Sequence, residues 1–345
     1  MSIESNEQEP GESGAPGIQN LLIKLSEKEN LPQGKFLEFN LGENSEELSV
    51  YNPSPMIIEE KLYLLARVED KKSERGSTIK LFTENEKGVW NIVEGWPEIQ
   101  NAQDPFYCGV INDFNVFGCV NTYDIPGSEN QGYRTVFYKY KNSFSEDVKD
   151  LEGETPTFAV GPNKMKGIRI VQRANGKIGV FTRPQGDFGG RGSIGYFEIS
   201  NLDELEDSLT KQAENPDIKT LIEDIFLERL KGENEWGGIN EIKVRPDGKM
   251  NVLGHIADFG PDGIKKNYFP IAFVFDPETM SVRGLKIVAT AEQFPKLEAK
   301  LPQLGSVIYS GGLVPLENGL YQLYVGVGDV EAGYIDIEDP FGDME

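Results

Sequence analysis

Positive charge is scarce in this 345-residue sequence: 34 lysines and arginines stand against 57 aspartates and glutamates, a net charge of -23. A surface that acidic repels phosphate backbones and anionic membranes, which excludes nucleic acid and membrane surfaces as partners. Cysteine is nearly absent. Cys108 and Cys119 are the only two, so there is no disulfide framework. Long hydrophobic runs are missing too; the longest, "IAFVF" at 271–275, is far shorter than the roughly 20 residues a spanning helix needs. The first residues, "MSIESNEQEPGESGAPG", have no basic stretch followed by an apolar one, so no secretory signal is expected and the location read from the sequence is cytoplasmic. Their richness in Glu, Ser, Gly and Pro predicts a disordered acidic tail over residues 1–17, with 18–345 as a single domain.

What is abundant points to turns. The 38 glycines and 20 prolines suit an all-β chain, and 38% hydrophobic residues are enough to fill a core. Five segments share one grammar of apolar strand, tight turn, apolar strand and acid. They are "SPMIIEEKLYLLARVED" (54–70), "CGVINDFNVFGCVNTYD" (108–124), "IRIVQRANGKIGVFTRPQGD" (168–187), "INEIKVRPDGKMNVLGHIAD" (239–258) and "GLVPLENGLYQLYVGVGD" (312–329). The turns fall at Glu59-Glu60, Asn112-Asp113, Asn175-Gly176, Asp247-Gly248 and Asn318-Gly319, three of them pairs that accept positive φ at a hairpin tip. The closing acids Asp70, Asp124, Asp187, Asp258 and Asp329 recur every 54 to 71 residues or so, room for about four strands per repeat.

That recurrence predicts a five-bladed β-propeller, which a pair of β-sandwiches would not explain. The strand "GKFLEFNLG" (34–42) is expected to complete the last blade and close the ring. One stretch at about 201–234, with apolar positions at helical spacing and Pro216 in its middle, predicts an insertion of two short helices. Cys108 and Cys119, flanking one turn, are expected to face each other across the strands as reduced core residues.

In a propeller, the start of each first strand and the end of each second strand meet around a funnel. Counting seven residues on from the second turn residue lands on Arg67, Val120, Arg183, His255 and Gly326. Two arginines and the sole histidine at matching positions predict a site for an anionic or hydroxyl-rich ligand. The first strands begin with Asn52 before a proline, Asp104 before a proline, Asn163 with Lys164 and Lys166, Trp236 with Asn240 and Glu241, and Tyr309 with Ser310. Trp236 reads equally as a platform for a sugar ring or as core between blades. The acids Asp70, Asp124 and Asp187 read as structural ties for turn amides, with Asp258 and Asp329 less clearly so.

These motifs resemble the five-bladed glycosidase-like propellers, most closely glycoside hydrolase family 130, the β-mannoside phosphorylases and mannosidases. Within that clan the chain is identified as a member of the family called domain of unknown function 1861. "NPSP…LYLLARVE", "QDPF", "KMKGIRIVQRANGKIGVFTRP", "WGGINEIKVRPDGKMNVLGHIAD" and "YSGGLVPLENGLYQLYVGVGD" carry the likeness over about Tyr51 to Asp336. The resemblance implies Asp104 as proton donor and Asn52, Arg67, Lys166, Arg183, His255 and Asp329 as ligands for sugar or phosphate. Phe106 departs from it, standing where the family has a phosphate-binding arginine.

Two enzymatic outcomes are open. Inverting hydrolysis needs a base besides the acid, for which Glu241 or Glu69 would pair with Asp104; phosphorolysis needs only the acid, with inorganic phosphate as co-substrate gathered by Arg183, Lys164, Lys166 and His255. A non-catalytic carbohydrate-binding propeller is the alternative, with Asp104 merely bonding hydroxyls. A calcium-dependent lactonase-like ring of Asn52, Asp104, Asn163 and Asn240 is disfavoured by Arg67, Arg183 and His255 in the same funnel. No cofactor or metal is expected.

Overall fold

The five hairpins form, and their turns divide into two kinds. Glu59-Glu60 and Asn112-Asp113 both adopt positive φ (51° and 64°, 49° and 65°), the two-residue tip whose twist matches the strands. The Asn-Gly and Asp-Gly sites instead make longer turns in which only Gly176, Gly248 and Gly319 are left-handed. In these, Arg173 N bonds Lys177 O while Gly176 N bonds Arg173 O, and the pattern recurs at Arg245–Lys249 and Leu316–Leu320. The strongest turn motifs therefore carry a bulge glycine rather than a two-residue tip.

The computed structural model describes residues 17–42, 45–73, 75–141, 157–185, 192–214 and 235–342. Blade I comprises Leu48–Ile58, Lys61–Asp70, Thr78–Glu84 and Val89–Ile92. Blade II comprises Ala102–Ile111, Phe114–Asp124, Gln131–Lys141 and Thr157–Val160. Blade III has three strands among the described residues, Arg169–Gln172, Ile178–Thr182 and Gly195–Ile199. Blade IV comprises Trp236–Val244, Met250–Phe259, Lys266–Asp276 and Ser281–Ile287, and blade V Ser306–Pro315, Tyr321–Val327 and Glu331–Ile337. Each is antiparallel from its innermost strand outward.

Two observations close the ring. The five innermost strands touch in cyclic order, and the first strand of blade I lies against that of blade V. The apolar core is split the same way: Phe117 with Leu65 and Leu81 fills the I/II interface, and Phe106 with Ile170 and Val180 the II/III interface. Phe181 with Phe273 and Phe275 fills III/IV, Leu253 with Leu323 and Val325 fills IV/V, and Leu64 with Trp90 and Tyr324 fills V/I. Each of these sheets buries both faces against neighbours, which is why their strands read as apolar runs rather than strict alternation.

The segment 34–42 does what closure requires, and slightly more. Lys35–Phe36 adds the outer strand to blade V beside Gly333 and Tyr334, and Glu38–Asn40 continues alongside Val89–Ile92 of blade I. Just before it, residues 18–26 form a helix that the sequence reading assigned to no element. Ile18, Leu21 and Leu25 share one face and pack with Phe269 and Ile287 of blade IV. Of the predicted helical insertion, a turn at Leu202–Glu204 and a helix at Leu205–Glu214 are described, with Leu205 and Leu209 joining the II/III core. The remainder of that insertion, Asp187 and residues 1–16 of the predicted tail lie outside the described residues.

The cysteines do not face each other. Tyr107 pairs with Phe117 and Gly109 with Val116, so Cys108 is the extra residue of a bulge. Cys119 sits in the I/II core beside the Tyr138 hydroxyl, while Cys108 packs on the II/III side. Among the described residues no helix is long and apolar enough to cross a membrane.

Candidate active site

Bulges turn the inner strands toward a common cavity. Blades I, II, IV and V each break register near the funnel end of the first strand, between Tyr51 and Ser54, Gln103 and Phe106, Ile239 and Glu241, and Ser310 and Gly312. The residues inside these breaks are Asn52, Asp104, Asn240 and Gly311. Asn52 and Asp104 are held at φ 51° and 47°, and Asp329 at 55°, conformations that cost non-glycine residues about 1 kcal/mol or more and collect at functional sites. The following prolines, Pro53 and Pro105, remove an amide that the broken ladder could not pair.

The cavity so formed measures about 240 Å³ and takes residues from every blade: Asn52 and Arg67 from I, Gln103, Asp104 and Val120 from II, Lys166, Arg169 and Arg183 from III and its approach, Ile239, His255, Lys266 and Tyr268 from IV, and Tyr309 with Asp329 from V. The predicted funnel is therefore real. Four of the five positions reached by counting from the turns, Arg67, Val120, Arg183 and His255, line it. The fifth, Gly326, lies beneath it, because a Cβ there would collide with Asn52 Oδ1.

Asp104 is the centre of the polar network. Asn52 Nδ2 donates to its Oδ1 at 2.9 Å, Arg67 Nη1 lies 3.8 Å from the same oxygen, and Lys166 Nζ lies 3.9 Å from Oδ2. Its side chain is 15% exposed. Burial pushes the carboxyl upward, but Lys166, Arg67, the Asn52 hydrogen bond and Arg169 outweigh it and hold the acid below the usual aspartate range. Among these cations Asp104 is an anion near neutral pH.

His255 is 7% exposed, its Nδ1 lying 2.8 Å from Asn240 Oδ1 and its ring stacked on Tyr268 at 5.5 Å. Burial first, then Arg183, Lys166 and Arg169, drive its pKa well below 6.5. The ring is neutral, with Nδ1–H given to Asn240 and Nε2 left as an acceptor. Arg183 Nε donates to Gly237 O at 2.7 Å; Gly167 and Gly192 crowd its side chain, and Gly238 the His255 ring, so closely that none admits a Cβ without displacement.

Arg169 was not anticipated. Its guanidinium lies 3.7 Å from the Phe106 ring centre and donates to Asn240 O (2.8 Å), Ile168 O (2.9 Å) and Tyr309 Oη (3.3 Å). Phe106 thus holds a cation from the next blade stacked on its ring. Arg169 sits within the apolar run "GIRIVQ", where alternation alone reads it as solvent-facing. Lys266 and Tyr268, on a third strand, carried no motif.

Several predicted residues lie elsewhere. Trp236 is buried against Phe259 of its own blade and donates to Tyr268 Oη at 3.1 Å, behind a residue that lines the cavity. Asn240 does not line the cavity and meets His255 Nδ1 through its Oδ1. Glu241 accepts from Leu313 N at 2.9 Å and pairs with Lys243, tying blades IV and V away from the cavity. Glu69 is wholly enclosed, accepting from Tyr51 Oη, Lys300 Nζ and both Nε and Nη2 of Arg67 (2.9 and 2.7 Å). Asn163 and Lys164 are exposed on the approach to Lys166. Asp70 caps Lys72 N, Asp124 pairs with Arg75 at the surface, and Asp258 accepts from Asn267. Among the described residues no cluster of three His, Cys, Asp or Glu could hold a metal ion. A second, more open cavity of about 680 Å³ adjoins the first through Gln103, Val120 and Lys166, walled by Lys72, Arg75 and Tyr133.

Comparison with solved structures matches this architecture to a mannose phosphorylase from Leishmania mexicana in complex with phosphate, at 27% identity, TM-score 0.76, covering 94% of this chain and 93% of that one. A GDP-Man-dependent mannosyltransferase from the same organism matches at 27% identity and TM-score 0.76, covering 95% and 96%. A hypothetical protein from Leishmania major matches at 27% and 0.73, covering 94% and 96%. No curated protein matches the sequence significantly. The profile of one family spans residues 24–343, and on that match the chain belongs to the family of proteins of unknown function DUF1861.

Proposed function

We propose that the protein is a mannoside phosphorylase, transferring a mannosyl group between a sugar hydroxyl and inorganic phosphate with Asp104 as the general acid. The observation that carries this reading is the charge of the cavity. In a chain with net charge -23, five cationic side chains (Arg67, Lys166, Arg169, Arg183 and Lys266) and only two carboxylates (Asp104 and Asp329) line it. Such a site gathers an anion. The phosphate complex of the Leishmania mexicana phosphorylase supports the choice of anion and sugar.

The chemistry balances with one acid. Phosphate attacks the anomeric carbon from the face opposite the glycosidic oxygen; Asp104 protonates that oxygen as its bond to carbon breaks. A single displacement inverts, so a β-mannoside yields α-mannose 1-phosphate. Phosphate binding is itself what readies the acid, since its negative charge opposes the cations that keep Asp104 ionised. The acceptor sugar leaves toward the adjoining cavity, on the Lys166 side of Asp104.

Hydrolysis would need a carboxylate about 6.5–9.5 Å from the acid with water between them. Neither Glu69 nor Glu241 reaches the cavity, which leaves Asp329 as the lining carboxylate for that task. Transfer from a nucleotide sugar is a second reading, favoured by the mannosyltransferase match. The inner cavity, about 240 Å³, is small beside the ~300–1,000 Å³ common for organic ligands, and a nucleoside diphosphate would have to extend into the outer one. The test is cleavage of β-linked mannooligosaccharides with and without phosphate, in wild type, Asp104→Asn and Asp329→Asn. Phosphate-dependent cleavage lost in Asp104→Asn supports phosphorolysis. Phosphate-independent cleavage lost in Asp329→Asn would replace it with hydrolysis, and sugar binding without turnover would replace both with a carbohydrate-binding role.

A further inference from the structure

The segment between blades IV and V crosses the funnel mouth and makes contacts that the transfer chemistry above does not use. Its Lys300 side chain is only 4% exposed, yet it reaches blade I, donating to Glu69, to Ser73 O at 2.7 Å and to Asp70 O at 3.2 Å. Lys300 N donates to Gly328 O at 3.0 Å, and Leu297 and Ala299 pack on Gly328, the residue before Asp329. Leu304, four residues on, lines the cavity itself.

Glu69 is the hinge of this arrangement. Its carboxylate is fully enclosed and lies between two cations, Lys300 and Arg67, with the Tyr51 hydroxyl as a further donor. Both cations also lie over the Tyr51 ring, Arg67 at 4.9 Å and Lys300 at 6.0 Å from its centre. Arg67 in turn presents its remaining terminal nitrogen, Nη1, to Asp104. The chain Lys300–Glu69–Arg67–Asp104 alternates in charge and runs from the crossing segment to the acid.

We infer that Lys300 is a positioning residue for the transfer reaction, holding Arg67 against Asp104 through the buried Glu69 carboxylate while its backbone pins the Gly328–Asp329 turn. With Lys300 gone, Glu69 keeps Arg67 as its one cationic partner. An uncompensated buried carboxylate draws that partner inward, because buried charges demand close pairing. Arg67 then leaves Asp104, and the acid loses one of the two cations nearest it. The other groups facing Asp104 are Asn52, Lys166 and Arg169, all unaffected; Asp329 lies within electrostatic reach of Tyr51 and Arg67.

This inference rests on the reading of Asp104 as the acid, and the experiment separates the two. Wild type, Lys300→Met, Lys300→Arg and Asp104→Asn are compared for phosphate-dependent mannoside cleavage, and the Asp104 carboxyl is titrated by 13C NMR, assigned by its loss in Asp104→Asn. Lys300→Met is expected to lose about 10- to 100-fold in kcat with phosphate KM within about threefold, the pattern of a misplaced catalytic group. The Asp104 midpoint and the basic limb of kcat should rise by about half a pH unit or more, since a depressed carboxyl relaxes upward when a cation retreats. Lys300→Arg should recover most of both. A Lys300→Met protein that melts earlier but keeps the wild-type kcat and Asp104 midpoint would reduce Lys300 to a structural tether and overturn the inference. Should Lys300→Met fail to fold, Tyr51→Phe removes a neutral donor from the same carboxylate; a few-fold loss of kcat supports the network and an unchanged kcat overturns it. If wild type shows no phosphate-dependent turnover, the functional reading fails by itself, and the NMR midpoint still decides the role of Lys300.

Discussion

His255 offers an unusually direct test of the cavity's electrostatics, because it is the one histidine in the chain and gives a single imidazole resonance. Burial and the cations Arg183, Lys166 and Arg169 hold it neutral, well below 6.5. The Cε1 proton should therefore titrate well below pH 6.5 in the free protein. The 15N shifts should report a proton on Nδ1, given to Asn240. A phosphate dianion within about 4–6 Å of the ring should raise the pKa and move the titration toward neutral pH. The same depression has a sign in stability. The unfolded chain binds a proton below pH 6.5 that the folded chain refuses, so stability is complete above that pH and declines below it, by up to about 1.4 kcal/mol per pH unit. Replacing the ring in His255→Asn should flatten that slope in urea titrations at pH 5 to 6.5. A free-protein pKa near 6.5, unmoved by phosphate, would refute the convergence of cations on this ring.

Further outcomes follow from the same geometry. Asp104→Asn should lower kcat by about 10²- to 10⁴-fold, the usual worth of a positioned acid, with sugar affinity retained in a binding assay. Since the folded-state Asp104 lies below 3.8, its ion pairing stabilises the fold above that value and fades as pH drops further; the stability gap between wild type and Asp104→Asn should close under acid, measured by thermal melts from pH 7 to 3. Arg169→Met should raise phosphate KM by about 10- to 100-fold, the equivalent of one lost charge-assisted hydrogen bond, and weaken the stabilisation of the fold by phosphate. Gly326→Ala, which pushes a methyl group into Asn52, should reduce kcat while leaving the far-UV spectrum unchanged.

Much of the fold could be read from the chain because hairpin grammar is local. An apolar strand, a turn and its return lie within about twenty residues, and five copies suffice to predict a ring. Counting from each turn then worked because the strands next to the funnel are free of insertions, which placed Arg67, Arg183 and His255 at one mouth. The failures share a cause. Bulges shift register without a reliable mark in sequence, and Cys108 and Cys119 also lie at unequal distances from the Asn112-Asp113 tip, so the expected cysteine pairing does not form. Glu69 and Glu241 occupy the right end of the right strands, but whether a carboxylate opens to the cavity or turns into a partner depends on neighbours from other blades. Lys300, distant by more than two hundred residues from Glu69, is such a neighbour. Arg169 was hidden by the opposite effect: an inward face of an inner strand is a channel wall, where a charge is stabilised by carbonyls and an aromatic ring rather than by water.

The central claim is that five blades bring one acid and a phosphate-binding cluster to a single anomeric carbon. It is tested most directly by following α-mannose 1-phosphate with a mannose acceptor by 31P NMR. The account predicts that the sugar phosphate signal is replaced by inorganic phosphate in step with disaccharide formation, in wild type and not in Asp104→Asn. Persistence of the sugar phosphate with wild-type protein, or equal consumption by Asp104→Asn, would contradict it.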